Sequence, residues 1–134
     1  MNLGMWNYGV KVESLDACVA FYVKHMGAVE KLRGELLGCR YALVRAGEMR
    51  VVFFEKMPYE NATGEDIPYG FIHAVYEVDD FDTVVGKLKE DGVEFIMGPM
   101  EVELEFGKRK LVFFDGPDGI RTEVMQVTRD YGNT

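Results

Sequence analysis

The stretch Asn7-Tyr-Gly-Val-Lys-Val-Glu-Ser-Leu-Asp16 lies on His73-Ala-Val-Tyr-Glu-Val-Asp-Asp-Phe-Asp82 without a gap, and this internal match narrows the choice of folds more than any other feature of the chain. Both copies alternate like a half-buried strand and then change to helical period. In the first copy Ser14 is placed to cap a helix whose apolar stripe is Leu15, Cys18, Val19, Tyr22 and Met26, with Gly27 as its stop. In the second, Asp79 or Asp80 caps, Phe81, Val84, Val85 and Leu88 form the stripe, and Gly92 ends it.

Three strand-like segments follow each helix: Ala28 to Leu36, Cys39 to Arg45 and Met49 to Phe54, then Glu94 to Met97, Lys108 to Phe114 and Arg121 to Val127. Ala46-Gly47 and Asp115-Gly-Pro-Asp-Gly119 carry turn chemistry, which makes the last two strands of each copy a hairpin. The expectation is an α+β fold in which residues 1–134 form one domain: a βαβββ module over about 5–55, a linker over about 56–69 and a second module over about 70–128. The linker is polar and holds Pro58 and Pro68, so it reads as a connection or a mobile lid.

With 134 residues, 48% of them hydrophobic, the chain can bury a substantial core. Its net charge of −8 argues against nucleic-acid binding, which needs a basic face. No run approaches the roughly 20 apolar residues of a membrane span, and Met1 to Val10 lacks the regions of a signal peptide, so a cytoplasmic location is expected. Cys18 and Cys39 sit in apolar periodic segments and read as reduced packing residues.

The strand, the Asp-Phe-Asp helix entry at 80–82, Gly-Val-Glu-Phe at 92–95, Gly98-Pro99, and Phe-Asp-Gly-Pro-Asp-Gly at 114–119 with Glu123 four residues later resemble the vicinal oxygen chelate superfamily. That group holds glyoxalases, bleomycin-resistance proteins, fosfomycin-resistance enzymes, methylmalonyl-CoA epimerases and extradiol dioxygenases. The resemblance runs from Asn7 to about Val127 and is strongest from Gly70 onward; Gly116 departs from the usual Asp-Pro-Asp-Gly. It implies two modules curled into an incomplete barrel around a concave cleft that holds a divalent metal: nickel, zinc, manganese or iron. His73 and Glu123 match the ligand positions of the second module, and Asn7 falls where the first module supplies His or Gln. Val51 falls at the fourth, often Glu. A neutral amide is a feeble ligand, so the implied metal site is incomplete. The family also implies a homodimer, since its dimers often build each cup from both subunits.

Alternation places His73, Val75 and Glu77 on one face of their strand, and Arg121, Glu123 and Met125 on one face of theirs. The matching first-copy faces are Asn7, Gly9 and Lys11, and Met49, Val51 and Phe53. A ligand pocket is therefore expected from Val51, Phe53, Phe71, Arg121 and Met125. Trp6 and Tyr8, opposite Asn7, are expected under a helix. The Lys108-Arg109-Lys110 cluster could grip a carboxylate or phosphate, yet such a turn beside acidic strands is usually solvated surface. Glu101, Glu103 and Glu105 read as an acidic outer face, and His25 as a surface residue near a helix end.

Two functions compete. One is a glyoxalase-like, metal-dependent lyase or isomerase acting on a small molecule with vicinal oxygens, with His73, Glu123 and Asn7 around the ion and Glu123 as the catalytic base. The other is a bleomycin-resistance-type protein that sequesters a cationic or aromatic ligand, a reading Val51 favours and the His73–Glu123 pair opposes. An extradiol dioxygenase would want a second convincing His.

Overall fold

Alternation and turn chemistry resolve into a single mixed sheet of eight strands in the computed structural model, which describes residues 2–134. The elements run β1 (Asn2–Lys11), α1 (Leu15–Met26), β2 (Val29–Leu36), β3 (Cys39–Ala46), β4 (Met49–Phe54), α2 (Glu60–Thr63), β5 (Gly70–Val78), α3 (Phe81–Glu90), β6 (Phe95–Leu104), β7 (Gly107–Asp115) and β8 (Arg121–Asp130). The strand order is β2-β3-β4-β1-β5-β8-β7-β6, so β1 and β5 lie antiparallel at the centre and the same βαβββ order runs outward on each side. This is an α+β fold.

The helices begin and end where local chemistry dictates. The Ser14 hydroxyl accepts from the backbone N–H of Ala17, and Gly27 ends α1 in the left-handed region at φ 64°. Asp80, rather than Asp79, caps α3 by accepting from the N–H of Thr83.

Each helix covers the convex face of its own half. Leu15 and Val19 of α1 pack with Val10, Ala42, Val44 and Phe53; Phe81 and Val85 of α3 pack with Val78, Val112 and Val124. The concave face holds the largest core, including Trp6, Tyr41, Val52, Phe54, Val75, Leu111, Phe113 and Met125. Burial of this kind contributes on the order of 25 cal/mol per Å² of apolar surface. The two outer edges of the sheet curl toward each other: the Tyr41 hydroxyl on β3 donates to Glu105 in the β6–β7 turn, and Gly34 of β2 lies directly against that same Glu105. A side chain at position 34 would collide there.

The segment between the halves is not the polar connection expected. Met57 and Tyr59 are fully buried, and α2 begins within it. Its anchor is Glu60, which accepts from the Met57 N–H at 3.1 Å and pairs with buried Lys11 at 3.1 Å. Lys11 Nζ also donates to the Ile67 carbonyl at 2.6 Å. The segment closes over the concave face because two large apolar side chains and one ion pair fasten it there.

Candidate active site in the concave face

Parallel pairing of the first and last strand of each half sets what faces inward. In the second half, β5 meets β8 with Val75 opposite Glu123; in the first, β1 meets β4 with Gly9 opposite Val52. Since Asn7 corresponds to His73 and Gly9 to Val75, the counterpart of Glu123 is Val52, one residue beyond the expected Val51. Met49 to Phe54 includes four consecutive apolar residues, so alternation could not fix their faces. Val51 and Phe53 pack on the convex side beneath α1, and Val52 and Phe54 line the hollow. A one-residue slip in a strand exchanges its faces.

His73 and Glu123 project into this hollow together, with Nε2 3.6 Å from Oε1. Both are nearly inaccessible, and burial dominates their ionisation. Desolvation pushes Glu123 up to about 8, against a smaller opposing pull from Arg109. Desolvation, aided by the charge of Arg121, lowers His73 to about 3. The contact therefore joins a carboxylic acid to a neutral imidazole at neutral pH, and is not an ion pair despite its length. Tyr59 holds the other side of the ring, its hydroxyl 2.9 Å from His73 Nδ1, while Phe113 packs edge-on at 5.3 Å. Burial raises the Tyr59 phenol far above its ordinary value, so it stays protonated.

Tyr59 was not foreseen, because it lies in a segment rich in Pro and polar residues; its bulky neighbour Met57 was the one hint of burial. Gly9 leaves the space the ring occupies: a Cβ there would stand 2.5 Å from His73 Nε2 and 2.9 Å from Nδ1. Asn7 lines the hollow too, and its side-chain amide donates to the Tyr8 carbonyl at 3.2 Å.

Arg109 and Trp6 are the other departures. β7 turns Arg109, Leu111 and Phe113 inward, so Arg109 is only 3% exposed while its neighbour Lys108 stays outside. Trp6 reaches the hollow because the pairing of β1 with β5 is irregular between Met5 and Asn7, which lets both Trp6 and Asn7 face inward. The indole stacks on Phe106 at 5.3 Å and has two guanidinium groups over it, Arg50 at 4.4 Å and Arg109 at 4.6 Å.

Of the remaining residues expected in the pocket, Met125 lines it and is 1% exposed. Phe71 lies at the open end of β5, 78% exposed and edge-on to Tyr8, because the β1–β5 register shifts between Gly9 and Val10. Arg121 sits outside the hollow, bonded to Asp115 at 2.7 Å and Glu65 at 3.2 Å, with its guanidinium 4.7 Å from the Tyr59 ring centre. The room left inside, measured for the centres of water molecules, is about 40 Å³.

Within one chain these residues fall short of the three or four donors of a tight divalent-metal centre. His73 and Glu123 are two sound donors, the first half adds only a neutral amide and Val52, and among the described residues no cluster of three His, Cys, Asp or Glu converges. The fixed charge of Arg109 in the same hollow further opposes a dication.

Residues 7–124 match the model of a family described as the Glyoxalase/Bleomycin resistance protein/Dioxygenase superfamily. A comparison with curated proteins gave no match. Among solved structures, a hypothetical protein from Bacillus halodurans C-125 is 19% identical, with 96% of this chain and 97% of that one aligned at a TM-score of 0.74. Methylmalonyl-CoA epimerase from Mycobacterium tuberculosis is 18% identical, with coverage of 95% and 89% and a TM-score of 0.72. A Streptomyces coelicolor methylmalonyl-CoA epimerase variant in complex with 2-nitronate-propionyl-CoA is 19% identical, with coverage of 96% and 99% and a TM-score of 0.74. At these identities the likeness is one of fold.

Proposed function

Because this chain belongs to the Glyoxalase/Bleomycin resistance protein/Dioxygenase superfamily, we propose that it is a glyoxalase-like isomerase that moves a proton on the carbon beside a carbonyl of a small molecule. The observation that carries this reading is the placement of the Glu123 carboxyl 3.6 Å from His73 Nε2 inside a mostly apolar hollow. A carboxyl whose pKa lies near the working pH serves as both acceptor and donor, which an exposed Glu near 4.5 does poorly.

In this scheme the ionised fraction of Glu123 takes the proton from carbon, and the resulting acid returns it to the same carbon or its neighbour. His73 stays neutral throughout, and its ring is held by Tyr59 on one nitrogen and Phe113 on one edge. With a ligand filling the hollow, its mostly apolar walls leave little water to level the base strength of the carboxylate. No step is assigned to a metal, since the donors fall short of one. The fold neighbours named as epimerases support the reading, because epimerisation beside a carbonyl also removes and restores a proton. A homodimer and a cytoplasmic location remain part of the proposal.

Val52, standing where Glu123 has its counterpart, favours the sequestering alternative, in which the hollow only holds a ligand. Deuterium exchange separates the two. In D2O the protein is expected to exchange the carbon-bound protons of pyruvate or hydroxyacetone, followed by proton NMR, and Glu123→Gln should slow that exchange by about 10²- to 10⁴-fold. Exchange on neither compound, or exchange unaffected by Glu123→Gln, overturns the enzyme reading.

A further inference from the structure

The least comfortable group in the molecule is Arg109. Its guanidinium is buried at 3% exposure, and none of its three nitrogens has a hydrogen-bond partner among the described residues. The rings of Trp6 at 4.6 Å and Phe106 at 4.5 Å flank it, and the charges of Asp130, Glu123 and Glu77 act on it without a hydrogen bond. Stacking on rings recovers a part of the cost of burying the charge; it leaves the N–H fork unused. A cation of this kind in a protein interior is ordinarily matched by a carboxylate. Glu123, the carboxyl facing the same hollow, makes no hydrogen bond to it.

We infer that Arg109 is the receptor for an anionic group of the ligand, and that the hollow takes a small carboxylate bearing a carbonyl or hydroxyl on the adjacent carbon. The planar fork of a guanidinium matches two carboxylate oxygens, and a buried one binds them with charge-assisted bonds that water does not weaken. Room of about 40 Å³ is that of roughly three water molecules, enough for a carboxylate and the atoms next to it. The proposal rests on the proton-transfer reading above for the carbon chemistry but not for the binding. Its geometry sets the reacting carbon between Arg109 and Glu123, both of which line the hollow.

Trp6, the one tryptophan of the chain, lies against Arg109 and reports on it. The experiment titrates the intact protein with pyruvate and with neutral hydroxyacetone, following Trp6 emission, and records deuterium exchange on both. The expected result is a saturable emission change with pyruvate, at least tenfold weaker affinity for hydroxyacetone, and at least tenfold weaker pyruvate affinity in both Arg109→Lys and Arg109→Met. Arg109→Met should also melt several degrees higher than the parent, since it removes an unpaired buried charge and keeps an apolar chain against the rings. A merely structural Arg109 would make that variant melt lower and leave the two affinities alike, and either result overturns the inference. Exchange that treats both compounds equally in parent and variants leaves the isomerase reading standing and sinks this one. Arg109-dependent pyruvate binding without exchange does the reverse.

Discussion

Gly9 on β1 lies flat against the imidazole of His73 on β5, so the absence of a side chain in one half of the molecule makes room for the ring of the other. A methyl at position 9 would enter that ring. Gly9→Ala is expected to lose about 1 to 3 kcal/mol of stability through overpacking and to shift the His73 imidazole resonances in NMR. An unchanged melting temperature with unchanged His73 resonances would show that the ring is not wedged as described.

Stability should depend on pH in a way peculiar to this pair. Glu123, raised to about 8, contributes stability fully below its ordinary 4.5 and loses it as pH rises through 8; His73, lowered to about 3, contributes fully above its ordinary 6.5 and loses it as pH falls through 3. Between pH 4.5 and 6.5 the two slopes cancel; above that window stability falls by up to about 1.4 kcal/mol per pH unit. Urea unfolding at a series of pH values should show this alkaline limb in the parent and not in Glu123→Gln.

Rates should follow the same group. The charged or titratable neighbours facing Glu123 are His73 from β5, Arg109 from β7 and Tyr59 from the closing segment; burial keeps His73 neutral and Tyr59 protonated between pH 6 and 9. Exchange on a small carbonyl compound should therefore climb about tenfold per pH unit below pH 8 and level off above it. A rate that is flat over that range would remove Glu123 as the base.

Metal should matter little. Elemental analysis of purified protein is expected to give well under one equivalent of nickel, zinc, manganese or iron, and added metal should not raise the melting temperature. A rise of several degrees that disappears in His73→Ala would restore the metal-dependent reading.

Much of this architecture was legible in the chain. The gapless match of Asn7–Asp16 with His73–Asp82, the caps at Ser14 and Asp80, and the glycine stops follow from backbone chemistry that local sequence carries. The two faces of β5 were legible as well, because His73 and Val75 share one parity and line the hollow while Val78, of the other parity, packs beneath α3. What escaped was set by tertiary register. Val51 to Phe54 has no alternation, so only the pairing of β1 with β4 distinguishes Val52 from Val51 as the counterpart of Glu123; Trp6 faces inward through an irregularity that pairing alone creates. Arg109 looked like one of three basic surface residues, and only the curl of β7 against the opposite edge encloses it. Tyr59 was hidden by its polar surroundings, although it packs with Met57 in the concave core and its hydroxyl holds the His73 ring.

The most direct test is the ionisation of Glu123 itself, read by carbon NMR of protein labelled with 13C at glutamate side-chain carboxyls, with Glu123→Gln identifying the resonance. A midpoint near 8 is expected, with the carboxyl protonated at neutral pH beside a neutral His73. A midpoint near the ordinary 4.5 would mean a solvated carboxylate, and would contradict the proposed proton transfer at its source.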